Sequence, residues 1–275
     1  MTYPVTDAII ENRKIQNSKG DLINVIYALI NQKGGVSKTS TSAALFAGLN
    51  ARGRKTLAVD IDPQSNLTAY VGASKSKTIL GMLTRETTAQ EAIQHTPMGD
   101  FIASSPMLSG ANSFLTETGK EFRLKEALEP IISEYDHIII DTPPQLGILT
   151  INALTACDRI IIPATADAFS IQGVSQLSDT INVVKKYCNR SLTVSGILLC
   201  RFNARTLIAQ SIADDMNLIA EKLGTKVFDT RIREGVAIKE AQLKQKSIFD
   251  YAPKAAVTED YGHFIDELLL SEKEQ

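Results

Sequence analysis

The chain has 275 residues, 44% of them hydrophobic, with 29 Lys and Arg against 31 Asp and Glu and a formal net charge of −2. This composition excludes disordered, collagen-like and coiled-coil chains, because each of those carries a bias or a period that is missing here. The near-neutral charge argues against a surface coated uniformly with positive charge for nucleic acid, although it allows a local basic face. The length fits one large soluble α/β unit.

The cysteines and histidines predict neither disulfides nor a structural metal site. Cys157, Cys188 and Cys200 are odd in number and have no CxxC spacing, so we interpret them as buried free thiols. The three histidines are scattered without ligand spacing. No stretch approaches the roughly 20 apolar residues of a membrane span, and the N-terminus, with Asp7 and Glu11, is unlike a signal peptide. We therefore expect a cytoplasmic protein.

Short apolar runs that are rich in β-branched residues predict the central strands of a parallel sheet with helices on both faces. The predicted strands cover residues 23–30, 56–61, 137–140, 159–162 and 192–199. Ile212, Met216 and Ile219 belong to an apolar stripe that predicts a helix over 205–223, and a closing helix is expected over 254–270. Alternating strands and helices indicate a doubly wound α/β fold with right-handed crossovers. Residues 1–21 are interpreted as an N-terminal extension and 22–275 as one domain.

The most informative segment is NQKGGVSKTS, residues 31–40, which follows the first predicted strand and opens a helix. Small residues let successive backbone N–H groups point inward, and the helix N-terminus adds positive partial charge, so this context favours phosphate binding. The pattern GxxxxGK[ST] is broken, because Gln32 and Ser37 replace its glycines; the form KGGxxK[ST] remains. The predicted phosphate-binding residues are Lys33, Gly34, Gly35, Val36, Ser37, Lys38, Thr39 and Ser40.

Acidic residues end two of the predicted strands. Asp60 and Asp62 stand in VDIDPQSN after the second strand, and Asp141 ends the run HIIID. Carboxylates at the carboxyl edge of a parallel sheet lie in the crevice where ligands bind. They can hold Mg²⁺ or orient a water for attack on a phosphate.

Together, KGGxxK[ST], DxDPQxN and an apolar strand ending in DTPP resemble the ParA/MinD family of P-loop ATPases, over roughly residues 22–263. Segments 149–154 and 172–177 resemble ParA rather than MinD. The resemblance implies a P-loop NTPase fold, ATP and Mg²⁺ as cofactors, and an ATP-sandwich homodimer. It assigns catalysis to Lys33, Lys38 and Asp62, with Lys33 reaching the partner's phosphates. It assigns the metal to Thr39, Asp62 and Asp141, with Asp60 as a secondary contact to the magnesium shell.

A basic segment lies towards the C-terminus. Residues 181–250 carry 12 Lys and Arg against 7 Asp and Glu, a balance of +5 that fits contact with DNA phosphates. Arg205 stands in FNART, which is similar to a ParA segment whose arginine contributes to non-specific DNA binding. Further candidates are Arg231, Arg233, Lys239, Lys244 and Lys246. The resemblance places loop 231–242 beside adenine, but the family's proline is missing there and its arginines are displaced.

The resemblance implies a DNA-partitioning ATPase of the compact class, without a helix-turn-helix module. Its dimer binds non-specific double-stranded DNA on the nucleoid until a ParB-type centromere-binding partner stimulates hydrolysis. One alternative is a MinD-like spatial regulator at the membrane; the acidic C-terminus, SEKEQ, argues against it, because anionic lipid would repel it. The other is a P-loop enzyme that transfers phosphoryl to a small molecule or to tyrosine.

Overall fold

A single mixed sheet forms the centre of the structure. The computed structural model describes residues 24–273, so the extension predicted over residues 1–21 lies outside the described part. The strands there are β1 (Val25–Leu29), β2 (Thr56–Asp60), β3 (Gln94–Thr96), β4 (Gly99–Ile102), β5 (His137–Asp141), β6 (Arg159–Thr165) and β7 (Thr193–Cys200). Their order is β3-β4-β2-β5-β1-β6-β7, and all neighbours run parallel except β3 and β4.

Helices connect the strands. Over the same residues, the α-helices are α1 (Lys38–Ala51), α2 (Asn66–Val71), α3 (Ile79–Leu83), α4 (Ala89–Ala92), α5 (Ala111–Phe114), α6 (Arg123–Leu128), α7 (Ile148–Ala156), α8 (Ala168–Tyr187), α9 (Leu207–Lys222), α10 (Val236–Leu243), α11 (Ile248–Tyr251) and α12 (Ala256–Lys273). Short 3₁₀ turns cover Pro106–Gly110, Lys120–Phe122 and Glu129–Glu134.

The sheet is buried on both faces, as its apolar strands require. Successive side chains of a strand point to opposite faces. In β1, Ile26 and Ala28 therefore enter one core with α7, α8 and α9, whereas Val25, Tyr27 and Leu29 enter the other with α1 and α12. Every residue of β1, β2 and β5 is buried. The prediction of a doubly wound α/β fold is confirmed.

The five predicted strands are present with ends shifted by a few residues, and both predicted helices form as α9 and α12. The hairpin of β3 and β4 was not predicted, because strands of three and four residues at a sheet edge carry little periodic signal. Cys157 and Cys200 are buried free thiols as expected, and Cys188 is half-buried.

A buried polar cluster ties α12 to the sheet at the edge where the parallel strands begin. Tyr27 Oη donates to Glu272 Oε1 over 2.6 Å, and His137 Nε2 lies 3.1 Å from the same oxygen. Burial alone would raise the pKa of Glu272, but hydrogen bonds from His137 and Tyr27 and the charge of Arg159 outweigh burial and hold that pKa below its ordinary value. The carboxylate therefore stabilises the fold in its ionised form.

We predict that Glu272→Gln lowers the free energy of unfolding at pH 7 by about 1.5–3 kcal/mol, the range for a hydrogen bond to a charged group. Because the folded-state pKa is depressed, this stabilisation exists above the unfolded-state pKa of about 4 and is lost as pH falls further. Urea unfolding from pH 7 down to pH 3 measures it. Exposed Glu221→Gln is the control and should change little; a deficit in Glu272→Gln that persists undiminished at pH 3 would contradict the assignment.

Candidate nucleotide-binding and hydrolysis site

In the loop between β1 and α1, two glycines leave the backbone accessible. Gly35 has φ +76°, and Ser37 has φ 73° and ψ 22°, so both adopt the left-handed conformation. A Cβ added at Gly34 or Gly35 would meet nothing within 4 Å, which leaves the backbone open to a ligand. Asn31 fixes the loop from below: its Nδ2 donates to Pro163 O over 2.7 Å, and its Oδ1 accepts from Lys33 N over 2.9 Å.

Lys38 lies inside this loop. Its Nζ donates to Asn31 O over 3.0 Å and to Lys33 O over 3.2 Å, so the ammonium spans the loop. Desolvation lowers the pKa of Lys38, and the carboxylates of Asp141 and Asp62 oppose that shift. A desolvated ammonium between carbonyl oxygens is suited to bind the phosphate oxygens of a nucleotide.

Two buried carboxylates end neighbouring strands beside the loop. Asp60 and Asp141 are register partners in β2 and β5, and both are 0% exposed. Asp141 accepts hydrogen bonds of 2.8 Å from Thr39 Oγ1 and from Ser42 Oγ. Desolvation raises the pKa of both aspartates, and proximity to Asp141 raises that of Asp60 further. A cation in this place would relieve the repulsion.

The oxygen donors fit magnesium. Mg²⁺ prefers hydroxyl, carboxylate, water and phosphate oxygens, and it is usually held by one or two protein groups together with the nucleotide. Thr39 and Asp141 provide one hydroxyl and one carboxylate at adjacent positions. Within residues 24–273, no group of three or more His, Cys, Asp or Glu is arranged to hold a metal.

A cavity of about 470 Å³ extends from the loop. Its phosphate end includes Gly34, Lys38 and Thr39, and Asp62 lines it as well. Another part of the wall comes from the segment after β7, including Ile232, Glu234, Ile238 and Gln242. Loop 231–242 therefore lines the same cavity as the phosphate loop, and its contact with the base stays a prediction.

Lys33, at the start of the loop, binds an acid that the sequence patterns did not indicate. Its Nζ donates to Asp167 Oδ2 over 2.5 Å, and the two side chains are 32% and 37% exposed. Asp167 also begins α8, because its Oδ1 accepts from Ser170 N over 3.0 Å. Asp167 follows β6 just as Asp62 and Asp141 stand at the ends of their strands, so the same strand-end argument could have found it.

The comparisons with known proteins agree with this geometry. A family model described as an AAA domain matches residues 24–194. The sporulation initiation inhibitor protein Soj of Bacillus subtilis is 38% identical over 242 residues, which are 86% of this chain and 94% of Soj. The chromosome partitioning protein ParA of Myxococcus xanthus is 37% identical over 86% of this chain and 84% of its own length. The chain belongs to the ParA family.

A solved structure of a similar protein contains a bound nucleotide and magnesium. Cobyrinic acid a,c-diamide synthase from Mycobacterium smegmatis, with bound ADP and magnesium, is 31% identical over 90% of this chain and 95% of its own, with a TM-score of 0.78. The cell division ATPase MinD of Pyrococcus furiosus, at 22% identity and a TM-score of 0.74, shows the fold alone. The ParA-family chain is an ATPase that uses ATP and Mg²⁺. No helix in residues 24–273 combines the length and apolarity needed to cross a membrane.

The basic residues predicted to contact DNA are all exposed and lie between β7 and α11. Arg233 forms a two-pronged ion pair with Asp260, at 2.7 and 2.9 Å, so its charge is already matched. The Arg231 guanidinium lies 4.5 Å from the centre of the Phe202 ring. Arg233 and Lys239 line the nucleotide cavity. Arg205, Lys244 and Lys246 form no ion pair among the described residues.

The left-handed backbone at Ser37 predicts a gain of stability on substitution by glycine. A residue with a Cβ costs about 1–2 kcal/mol in this conformation, and the greater freedom of glycine in the unfolded chain offsets part of that cost. We expect Ser37→Gly to raise the free energy of unfolding by about 0.5–1 kcal/mol in urea without nucleotide. The same change at Ser40, in the right-handed first turn of α1, should lower it. Equal losses in both variants would contradict the left-handed geometry.

Proposed function

We propose that this ATPase partitions DNA, as the name of its relative from M. xanthus, a chromosome partitioning protein, suggests for that protein. The observation that supports the proposal is that the two lysines of the loop, Lys33 and Lys38, have different environments. Lys38 is buried and bonded within its own loop, whereas Lys33 is partly exposed and ion-paired with Asp167. A partly exposed lysine at the start of the loop can reach the phosphates of a second subunit, so two copies face to face would enclose ATP.

In this proposal, the loop amides and Lys38 bind the β and γ phosphates, and the Thr39 hydroxyl and Asp141 hold the metal. Magnesium supplies charge that stabilises the leaving phosphate oxygens. Asp62 orients the attacking water, whose oxygen bonds to the γ phosphorus while the bond to the β–γ bridging oxygen breaks. ADP leaves with that electron pair, and the proton passes to the released phosphate. We infer that residues 22–275 act as one domain in this cycle.

Dimer formation then requires Lys33 to leave Asp167. That ion pair is partly exposed, so water screens it and the exchange is inexpensive. Loss of the γ phosphate would remove the attraction across the dimer and return Lys33 to its own subunit. The pair thus favours the monomer when ATP is absent.

Two single substitutions test the role of Lys33 in opposite directions. Lys33→Ala should abolish ATP-dependent dimerisation and lower ATP turnover. Asp167→Asn keeps a residue that caps α8 well but removes the charge, so it should shift the dimer to a several-fold lower ATP concentration. Sedimentation velocity over an ATP series measures both. Wild-type dimerisation in Lys33→Ala would remove the sandwich arrangement from the proposal.

The exposed basic residues beyond β7 support contact with DNA. Arg205 lies in the turn before α9, and Lys244 and Lys246 follow α10. Two subunits present these residues twice, so the attraction to phosphates grows when the dimer forms. We infer that the dimer binds non-specific double-stranded DNA on the nucleoid, and that a ParB-type partner stimulates hydrolysis and releases it.

DNA binding over a salt series, with ATP, ADP and no nucleotide, tests this function. We expect steep salt dependence with ATP and weak binding otherwise. Arg205→Ala should flatten the slope of log affinity against log salt by about 2, since each phosphate contact contributes about 0.9 and the dimer has two copies. Lys75→Ala, exposed between α2 and α3 and outside the basic segment, is the control and should keep the wild-type slope. Equal binding with ADP and ATP would contradict the proposal.

The same preparations separate the two rivals. ATP-dependent pelleting with anionic vesicles in the absence of DNA would favour a MinD-like membrane regulator. A phosphorylated small molecule or phosphotyrosine in place of free phosphate would favour a transfer enzyme. The partition ATPase is expected to give free phosphate and no pelleting.

A further inference from the structure

Residues 60–68 run from the last residue of β2 into the first turn of α2. This segment folds back so that its backbone reaches the carboxylate of Asp60. Asp60 Oδ1 accepts from Asp62 N over 3.0 Å. Asp60 Oδ2 accepts from Thr68 N over 2.9 Å and from Thr68 Oγ1 over 2.7 Å. A single buried carboxylate therefore ties both ends of the segment that carries Asp62.

Ser104, which follows β4, closes this arrangement into a ring. Its N–H donates to Thr68 Oγ1 over 2.9 Å, and its hydroxyl donates to Asp62 O over 2.6 Å. Thr68 and Ser104 are both 0% exposed. We call Asp60, Thr68 and Ser104 the clamp.

The clamp holds the backbone of Asp62 on both sides. Asp60 binds its N–H and Ser104 binds its C=O. The Asp62 side chain lines the nucleotide cavity, where its Oδ1 accepts from Gln64 N over 3.0 Å. Hydrogen bonds inside a buried ring are strong, and fixed neighbours limit the positions that a carboxylate can sample.

We propose that Thr68 and Ser104 are positioning residues for hydrolysis: through the clamp they fix the backbone of Asp62, so that its carboxylate meets the attacking water in a productive place. This rests on the proposed role of Asp62. It gives Asp60 an anchoring role within the protein, in addition to the contact with the magnesium shell that the family resemblance implies. A displacement of about 1 Å at such a carboxylate can cost about 100-fold in rate.

Substitutions at Thr68 provide the central test. Thr68→Val removes the hydroxyl and keeps the shape, so kcat for ATP should fall about 10- to 100-fold. KM and the affinity for a fluorescent ADP analogue with Mg²⁺ should change less than about 3-fold, because the phosphate loop is untouched. Thr68→Ser restores the hydroxyl and should return kcat to within about 3-fold of wild type.

Two further variants keep the test decisive. Ser104→Ala removes only the hydrogen bond to Asp62 O and should lower kcat about 10-fold with affinity intact; it carries the test if Thr68→Val fails to fold. Thr155→Val removes a buried threonine hydroxyl that bonds Ile151 O in α7, away from the site, and should leave kcat unchanged.

Asp62→Ala separates the possible failures. If Asp62→Ala hydrolyses ATP normally, the proposed role of Asp62 is wrong and the positioning role falls with it. If Asp62→Ala is inactive but Thr68→Val and Ser104→Ala turn over at the wild-type rate, only the positioning role is wrong. Equal losses of kcat and nucleotide affinity in the clamp variants would indicate a structural role and would also overturn it.

Discussion

Two aspartates that are buried side by side set the main electrostatic constraint of this protein. Asp60 and Asp141 end adjacent strands at the same register, where burial and mutual repulsion oppose their ionisation. The surrounding groups compensate: hydroxyls of Thr39, Ser42 and Thr68 donate to the carboxylates, and the Lys38 ammonium lies nearby. A site built in this way is suited to Mg²⁺, and our proposal places the metal of the ATPase here.

The same constraint connects the site to α1 and to the segment that follows β2. Asp141 ties β5 to α1, the helix that carries Lys38, through Thr39 and Ser42. Asp60 ties β2 to the segment that carries Asp62. Changes at the γ phosphate can therefore reach two elements of the sheet edge directly, which is how nucleotide switches usually act. Lys33 forms a partly exposed ion pair with Asp167, and our proposal requires that this pair opens when the dimer forms.

The structure shows which charges of the basic segment are ion-paired and which are exposed. Residues 181–250 carry a balance of +5, and ion pairs of Arg233 with Asp260 and of Lys226 with Glu267, two acids outside that segment, neutralise part of it. Arg205, Lys244 and Lys246 stay exposed and form no ion pair among the described residues. A dimer would present each of them twice, which is the increase in positive charge that the proposed DNA binding uses.

Local patterns in the sequence predicted the α/β class, the phosphate loop with Lys38 and the strand-end acids Asp62 and Asp141. Those features depend on residue type, spacing and the alternation of buried strands, which neighbours along the chain encode. Ser37 shows the limit of such patterns, since the left-handed turn forms there although serine replaces the expected glycine. The edge hairpin of β3 and β4 was missed for lack of a periodic signal.

Only the tertiary structure decided which groups meet. The pairing of Lys33 with Asp167 spans 134 residues, and that of Ser104 with Asp62 spans 42. Such contacts depend on the order and register of strands in the sheet, which no local pattern specifies. The sequence by itself therefore determined the chemistry that is available to this ATPase, and the folded sheet determined which side chains hold Asp62, Lys33 and Arg233, because hydrogen bonds and ion pairs act only at short distance.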